Sequence, residues 1–123
     1  MNPVVLVVED EPIIRTETVQ MIKDAGYTVL DVPNTNDAMA ILKDRRDIRA
    51  VFTEIRVPGQ LNGMDLGHAI AERWPWVRLI MTSGFLKVDN FPAEWRYIPK
   101  PYNGAQVTAA LRALIIPHLK IVR

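Results

Sequence analysis

Apolar residues in this chain fall into five short runs, separated by stretches in which apolar positions recur every three or four residues. The runs are Val4–Val8, Thr28–Val32, Ala50–Thr53, Leu79–Met81 and Arg96–Ile98. They are β-rich and mostly lack polar alternation, the pattern of strands covered on both faces. Between them, Ile14, Thr18, Met21, Ile22 and Ala25 form a helical stripe, with Pro12 at the first helical position and Gly26 as its stop. Ala38, Ile41 and Leu42 form a second, with Asn34 as N-cap. Gly67, Ile70, Ala71 and Trp74 form a third, ended by Pro75. Val107, Leu111, Leu114 and Ile115 form the last, opened by Asn103 with Gln106 three residues on, and closed by Pro117. Leu86–Trp95 has weak periodicity and an internal proline, which predicts a short or irregular helix. Trp74-Pro75-Trp76 reads as a helix end folded onto the core, and His68 and His118 as surface residues.

Strands alternating with helices imply an α/β fold with a parallel sheet and right-handed crossovers. Five strands of this length fit a doubly wound, flavodoxin-like sheet of order 2-1-3-4-5, with helices on both faces. The length, 123 residues, suits one domain, and no second, output domain is expected. With 15 basic and 14 acidic residues the net charge is +1, which gives no one-sided basic surface for nucleic acid. Without cysteine there are no disulfides or thiolate metal sites. The apolar run at Val4–Val8 is too short for a signal-peptide core or a membrane span, so a cytoplasmic protein is expected.

In open parallel sheets of this kind the site lies beyond the carboxyl ends of the strands. The first strand ends in Glu9-Asp10-Glu11, the third at Thr53-Glu54, the fourth at Thr82-Ser83-Gly84 and the fifth at Lys100-Pro101. Strands 1 and 3 are neighbours in this order, so Glu9, Asp10 and Glu54 are expected to converge. Like charges about 4 Å apart repel by roughly 4 kcal/mol at an effective dielectric near 20. Such a cluster calls for a cation, a raised pKa or both. Mg²⁺, a hard ion with oxygen ligands, suits it. With an ammonium at Lys100 and a hydroxyl at Thr82, the set suits a phosphoryl group. The bland reading of Glu9-Asp10-Glu11, a solvated turn capping a helix, is outweighed by its place at the end of the first strand.

The segments VVLVVEDEP, VFTEIRVPGQLNGMDL, LIMTSG and YIPKPY, in this order and spacing, resemble the receiver motifs of two-component response regulators. The resemblance runs from about Val4 to Leu114. It implies that Glu9 and Asp10 are the acidic pair that holds Mg²⁺, with the backbone carbonyl of Arg56 as a further ligand. It places Glu54 at the phosphoacceptor position, where it would also face the metal. Thr82 becomes the switch hydroxyl, Lys100 the phosphate-pairing lysine and Tyr97 the aromatic whose rotamer reports activation. Pro101 would follow a cis peptide bond. Three features depart from the pattern: Glu54 stands where the family has aspartate, the loop from Val57 to Gly63 is longer, and the stretch from Thr82 to Tyr97 is shorter, which reduces the fourth helix.

The resemblance implies a signalling module, not an enzyme. A sensor histidine kinase or phosphotransfer protein would be its input, and a protein target its output, with a homodimer open. Two functions compete. One is a receiver that still accepts a phosphoryl group from a histidine kinase. The other, favoured, is a protein-binding receiver whose phosphorylation is impaired at Glu54, since one methylene displaces the acceptor by about 1.5 Å. A flavodoxin-like cofactor binder is a weaker alternative, because the loop after the first strand is acidic and not a glycine-rich phosphate cradle.

Overall fold

The computed structural model describes residues 3–84 and 91–122. The elements are β1 (Val4–Val8), α1 (Pro12–Asp24), β2 (Thr28–Val32), α2 (Thr35–Asp44), β3 (Ile48–Glu54), α3 (Gly63–Arg73), β4 (Arg78–Ser83), β5 (Arg96–Pro99) and α4 (Gly104–Val122). The strands form one sheet in the order β2-β1-β3-β4-β5, with every neighbouring pair parallel. That is the expected fold.

The sheet is covered on both faces because its central strands are apolar on both. In β1, Val4, Leu6 and Val8 pack with Ala38 and Leu42 of α2 and Leu66 and Ile70 of α3. Val5 and Val7 pack on the other side with Ile22 of α1 and Val107, Leu111 and Ile115 of α4. Alternate side chains thus enter different cores, and no polar residue interrupts the run. Each such burial contributes roughly 1.5–3 kcal/mol.

Local signals set the helix ends. Pro12 opens α1, and Gly26 follows it at φ 101°. Asn34 caps α2 by accepting from the Asp37 N–H. Asn103 and Gln106 exchange reciprocal hydrogen bonds of 2.9 Å at the start of α4. Trp74 caps α3 and packs half-buried against the core, while Trp76 is exposed.

Three expectations need correction. Helix α4 runs through Pro117 and does not end there. A proline removes its own N–H from the ladder and its ring crowds the carbonyl four residues back, so the helix continues past it only at a local cost. Ala71, placed on the apolar stripe of α3, is exposed. Of the helix expected over Leu86–Trp95, residues 86–90 lie outside the described residues. The remainder is a turn closed by the Trp95 N–H on the Pro92 carbonyl at 3.2 Å.

Candidate functional site

Four strands deliver the chemistry at their carboxyl ends. Glu9 follows β1 and is fixed by its N–H on the Val32 carbonyl, 3.1 Å away. Glu54 is the last residue of β3, in register with Thr82 of β4. Lys100 follows β5, its N–H bonded to the Ser83 carbonyl at 2.9 Å, and the Lys100–Pro101 peptide bond is cis.

The Lys100 ammonium lies between the two glutamates, 2.9 Å from Glu9 Oε1 and 2.8 Å from Glu54 Oε2. Both glutamates are buried, at 3% and 6% exposure. Their other oxygens accept backbone N–H groups: Glu9 Oε2 from Glu11 at 3.1 Å, and Glu54 Oε1 from Arg56 at 3.3 Å. Burial pushes the Glu9 carboxyl above its usual range, against the lowering pull of Lys100. Burial alone would lower Lys100, but Glu54 and Glu9 together outweigh it and hold the ammonium above its ordinary value.

The structure therefore brings together Glu9, Glu54 and Lys100. Asp10 is exposed to solvent. Among the described residues no group of three His, Cys, Asp or Glu side chains is placed to hold a metal ion. Of the three acidic residues expected here, Glu9 and Glu54 are buried around Lys100 and Asp10 is exposed. Thr82 Oγ1 is buried and has no hydrogen-bond partner among the described residues. The Tyr97 hydroxyl lies 3.4 Å from both the hydroxyl and the carbonyl of Ser83, and its ring meets Phe91 edge-on at 5.7 Å.

Several residues that position the site were not singled out from the sequence. Gly63 begins α3 against the end of β3, where a Cβ would overlap the Glu54 carbonyl oxygen. Thr35, at the start of α2, ties down the long loop: its hydroxyl donates to the Leu61 carbonyl at 2.7 Å, and its N–H bonds the Pro58 carbonyl at 3.0 Å. Arg15 donates to the Glu9 carbonyl at 2.9 Å and pairs with Asp31 at 3.2 Å. Only Gly63 left a trace in the sequence, a lone glycine directly before an amphipathic stretch.

The response regulator receiver domain family matches residues 5–112. This chain belongs to that family. An NtrX-like response regulator of Rickettsia bellii is 28% identical over 94% of the chain, and the aerobic respiration control protein ArcA of Escherichia coli K12 is 28% identical over 93%. The sensor kinase CckA of Brucella abortus is 25% identical over 90% of it. The receiver spans about a quarter of the NtrX-like relative's length, 26%, half of ArcA, 49%, and 12% of CckA. A CheY-like receiver from Methanospirillum hungatei superposes with a TM-score of 0.88 at 21% identity, covering 98% of each chain, and shows the shared fold. No support appears for a flavodoxin-like cofactor binder. Among the described residues no helix is long and apolar enough to cross a membrane.

Receiver domains usually hold Mg²⁺ at this site. The donor set here does not fit a divalent ion. Glu9 Oε2 and Glu54 Oε1 accept backbone N–H groups, Glu9 Oε1 and Glu54 Oε2 pair with the Lys100 ammonium by charge with no hydrogen-bond partner among the described residues, and no third His, Cys, Asp or Glu among those residues completes a metal-holding group.

Proposed function

We propose that this receiver signals by binding a protein partner, and that its phosphoacceptor position takes up a phosphoryl group poorly or not at all. The observation that carries the reading is the 2.8 Å ion pair between Glu54 and Lys100. To accept a phosphoryl group, a Glu54 oxygen must attack phosphorus, forming a P–O bond as the donor's leaving group departs. That oxygen must be free and aligned. Here one oxygen is paired with the ammonium and the other accepts the Arg56 N–H. An acceptor misplaced by about 1 Å loses on the order of a hundredfold in rate.

The same pairing supports a partial imitation of the phosphorylated state. In a phosphorylated receiver an oxygen of the phosphoryl group would meet the lysine; here the longer side chain brings its own oxygen there. One carboxylate carries less charge than a phosphoryl group, so the mimicry is partial. The input partner is a sensor histidine kinase or phosphotransfer protein, the output a protein target in the cytoplasm, and self-association into a homodimer belongs to the same reading.

A second reading, a receiver that is still phosphorylated, draws on Thr82. Among the described residues its buried hydroxyl lacks a partner, and a phosphoryl oxygen would satisfy it. Acceptor chemistry separates the two. With Mg²⁺ and a small-molecule phosphodonor, the chain as it stands is expected to gain no phosphoryl mass, and Glu54→Asp to gain one.

A further inference from the structure

We infer that Lys100 is the resident cation of this pocket, standing where the family's divalent ion would stand, so that the receiver has no working Mg²⁺ site and needs none. The inference concerns the same pocket as the proposed function, but it reads cation affinity and not acceptor chemistry.

The first support is the accounting of oxygens. Glu9 and Glu54 offer four carboxylate oxygens. Two pair with the Lys100 ammonium at 2.9 and 2.8 Å, and two accept the N–H groups of Glu11 and Arg56. A divalent ion between the carboxylates would have to expel the ammonium. Mg²⁺ demands octahedral geometry at about 2.0–2.1 Å and gives up its waters reluctantly. An ammonium already fixed by two carboxylates is a strong competitor for so small a space.

The second support is the length of Glu54. A side chain shorter by one methylene would withdraw its carboxylate by about 1.5 Å. With the ammonium held by Glu9, the 2.8 Å ion-pair contact would then open to roughly 4 Å. The bridge from Glu9 through Lys100 to Glu54 thus depends on glutamate. Aspartate at this position leaves the lysine tied to Glu9 alone and frees a carboxylate for a metal.

The third support is position. Among the described residues no third carboxylate joins Glu9 and Glu54 in a group placed to hold a metal ion. The backbone N–H of Glu11 instead closes on Glu9, so the turn after β1 completes the Glu9 carboxylate without an ion. Lys100 is also well placed to stay: its side chain is only 22% exposed and its backbone N–H is anchored to Ser83.

The test uses Mn²⁺ as a paramagnetic substitute for Mg²⁺, with amide NMR on the chain as it stands, on Lys100→Met and on Glu54→Asp. Unaltered protein is expected to show no saturable broadening at the amides of Asp10, Ile55 and Arg56. Lys100→Met removes the resident cation and leaves two buried carboxylates unbalanced, so those amides should broaden saturably, with affinity on the order of tenfold tighter or more. Its melting temperature should fall and recover on adding Mg²⁺, whereas that of the unaltered protein should not respond. Glu54→Asp, which keeps the lysine, should also bind more tightly than the unaltered protein. Saturable broadening at these amides in the unaltered protein would overturn the inference, as would equal affinity in all three. If Lys100→Met does not fold with or without metal, the other two proteins decide the matter. Phosphoryl uptake measured on the same samples keeps the claims apart. Metal binding without uptake by the unaltered protein refutes this inference alone, and uptake refutes the proposed function.

Discussion

Replacing Gly67 by alanine tests how the short connection between β4 and β5 is sealed. Where a longer connection would lay a helix, Trp95 packs against α3, buried to 7% exposure. Gly67 makes the room. A Cβ there would stand 2.5 Å from Met81 Cε, 2.7 Å from Trp95 Cη2 and 2.9 Å from Trp95 Cζ3. The end of Met81 can move aside cheaply. The indole cannot, because it is rigid and held by Phe91 at 5.7 Å and His68 at 4.9 Å. Overpacking of this kind costs about 1–3 kcal/mol, and two close contacts to one rigid ring put it in the upper half of that range. Alanine offsets about 1 kcal/mol through helix propensity. The net loss is therefore about 1–2 kcal/mol, a fall in melting temperature of roughly 3–8 °C for a domain of this size. Urea unfolding measures the loss as a lower midpoint at unchanged slope. Trp95 emission, read in a Trp74→Phe, Trp76→Phe background, should shift to the red as the indole is lifted towards water. Equal or greater stability with unchanged emission would show that the indole does not rest on Gly67, and would refute the reasoning.

Gly63→Ala should cost more, about 3 kcal/mol, because its Cβ would run into the Glu54–Ile55 backbone, which cannot rotate away as a side chain can. Gly104→Ala is the control for chemical denaturation: its Cβ would meet only Met21 Cγ at 3.7 Å, so stability should change by less than about 1 kcal/mol. The domain should also lose stability in alkali. Burial raises the pKa of Tyr27 and Tyr102 above 10.0, while at Lys100 the two carboxylates overcome burial and raise it above 10.5. Groups that hold their protons longer when folded contribute stability that is fully present below the unfolded values and lost as pH rises through the folded ones. Urea midpoints should therefore be level near about pH 8–9 and fall above about pH 10, and a midpoint that rises there would contradict the assignment.

Much of the fold was legible because the central strands are buried on both faces. Val4–Val8 and Thr28–Val32 matched their strands to the residue. The caps at Asn34 and at Asn103 with Gln106 use short-range hydrogen bonds that a sequence displays directly. The strand-end rule places Glu9, Glu54, Thr82 and Lys100 at one end of the sheet from the sequence alone. What stayed hidden depends on distance in space. No spacing reveals that Lys100 spans both glutamates, or that a turn exposes Asp10 while burying its neighbour. Trp95 gave no signal because it packs from a turn and follows no period. Thr35 anchors a loop 26 positions away, a relation that local pattern cannot carry. Pro117 misled because proline predicts a helix end only on average.

The central claim is that Glu54, paired with Lys100, is not a working phosphoacceptor. Intact mass after incubation with Mg²⁺ and a small-molecule phosphodonor tests it most directly, on this receiver and on Glu54→Asp side by side. The account expects about 80 Da, one phosphoryl group, on the aspartate form at position 54 and none on the glutamate form. An equal gain by the glutamate form, mapped to Glu54, would contradict it.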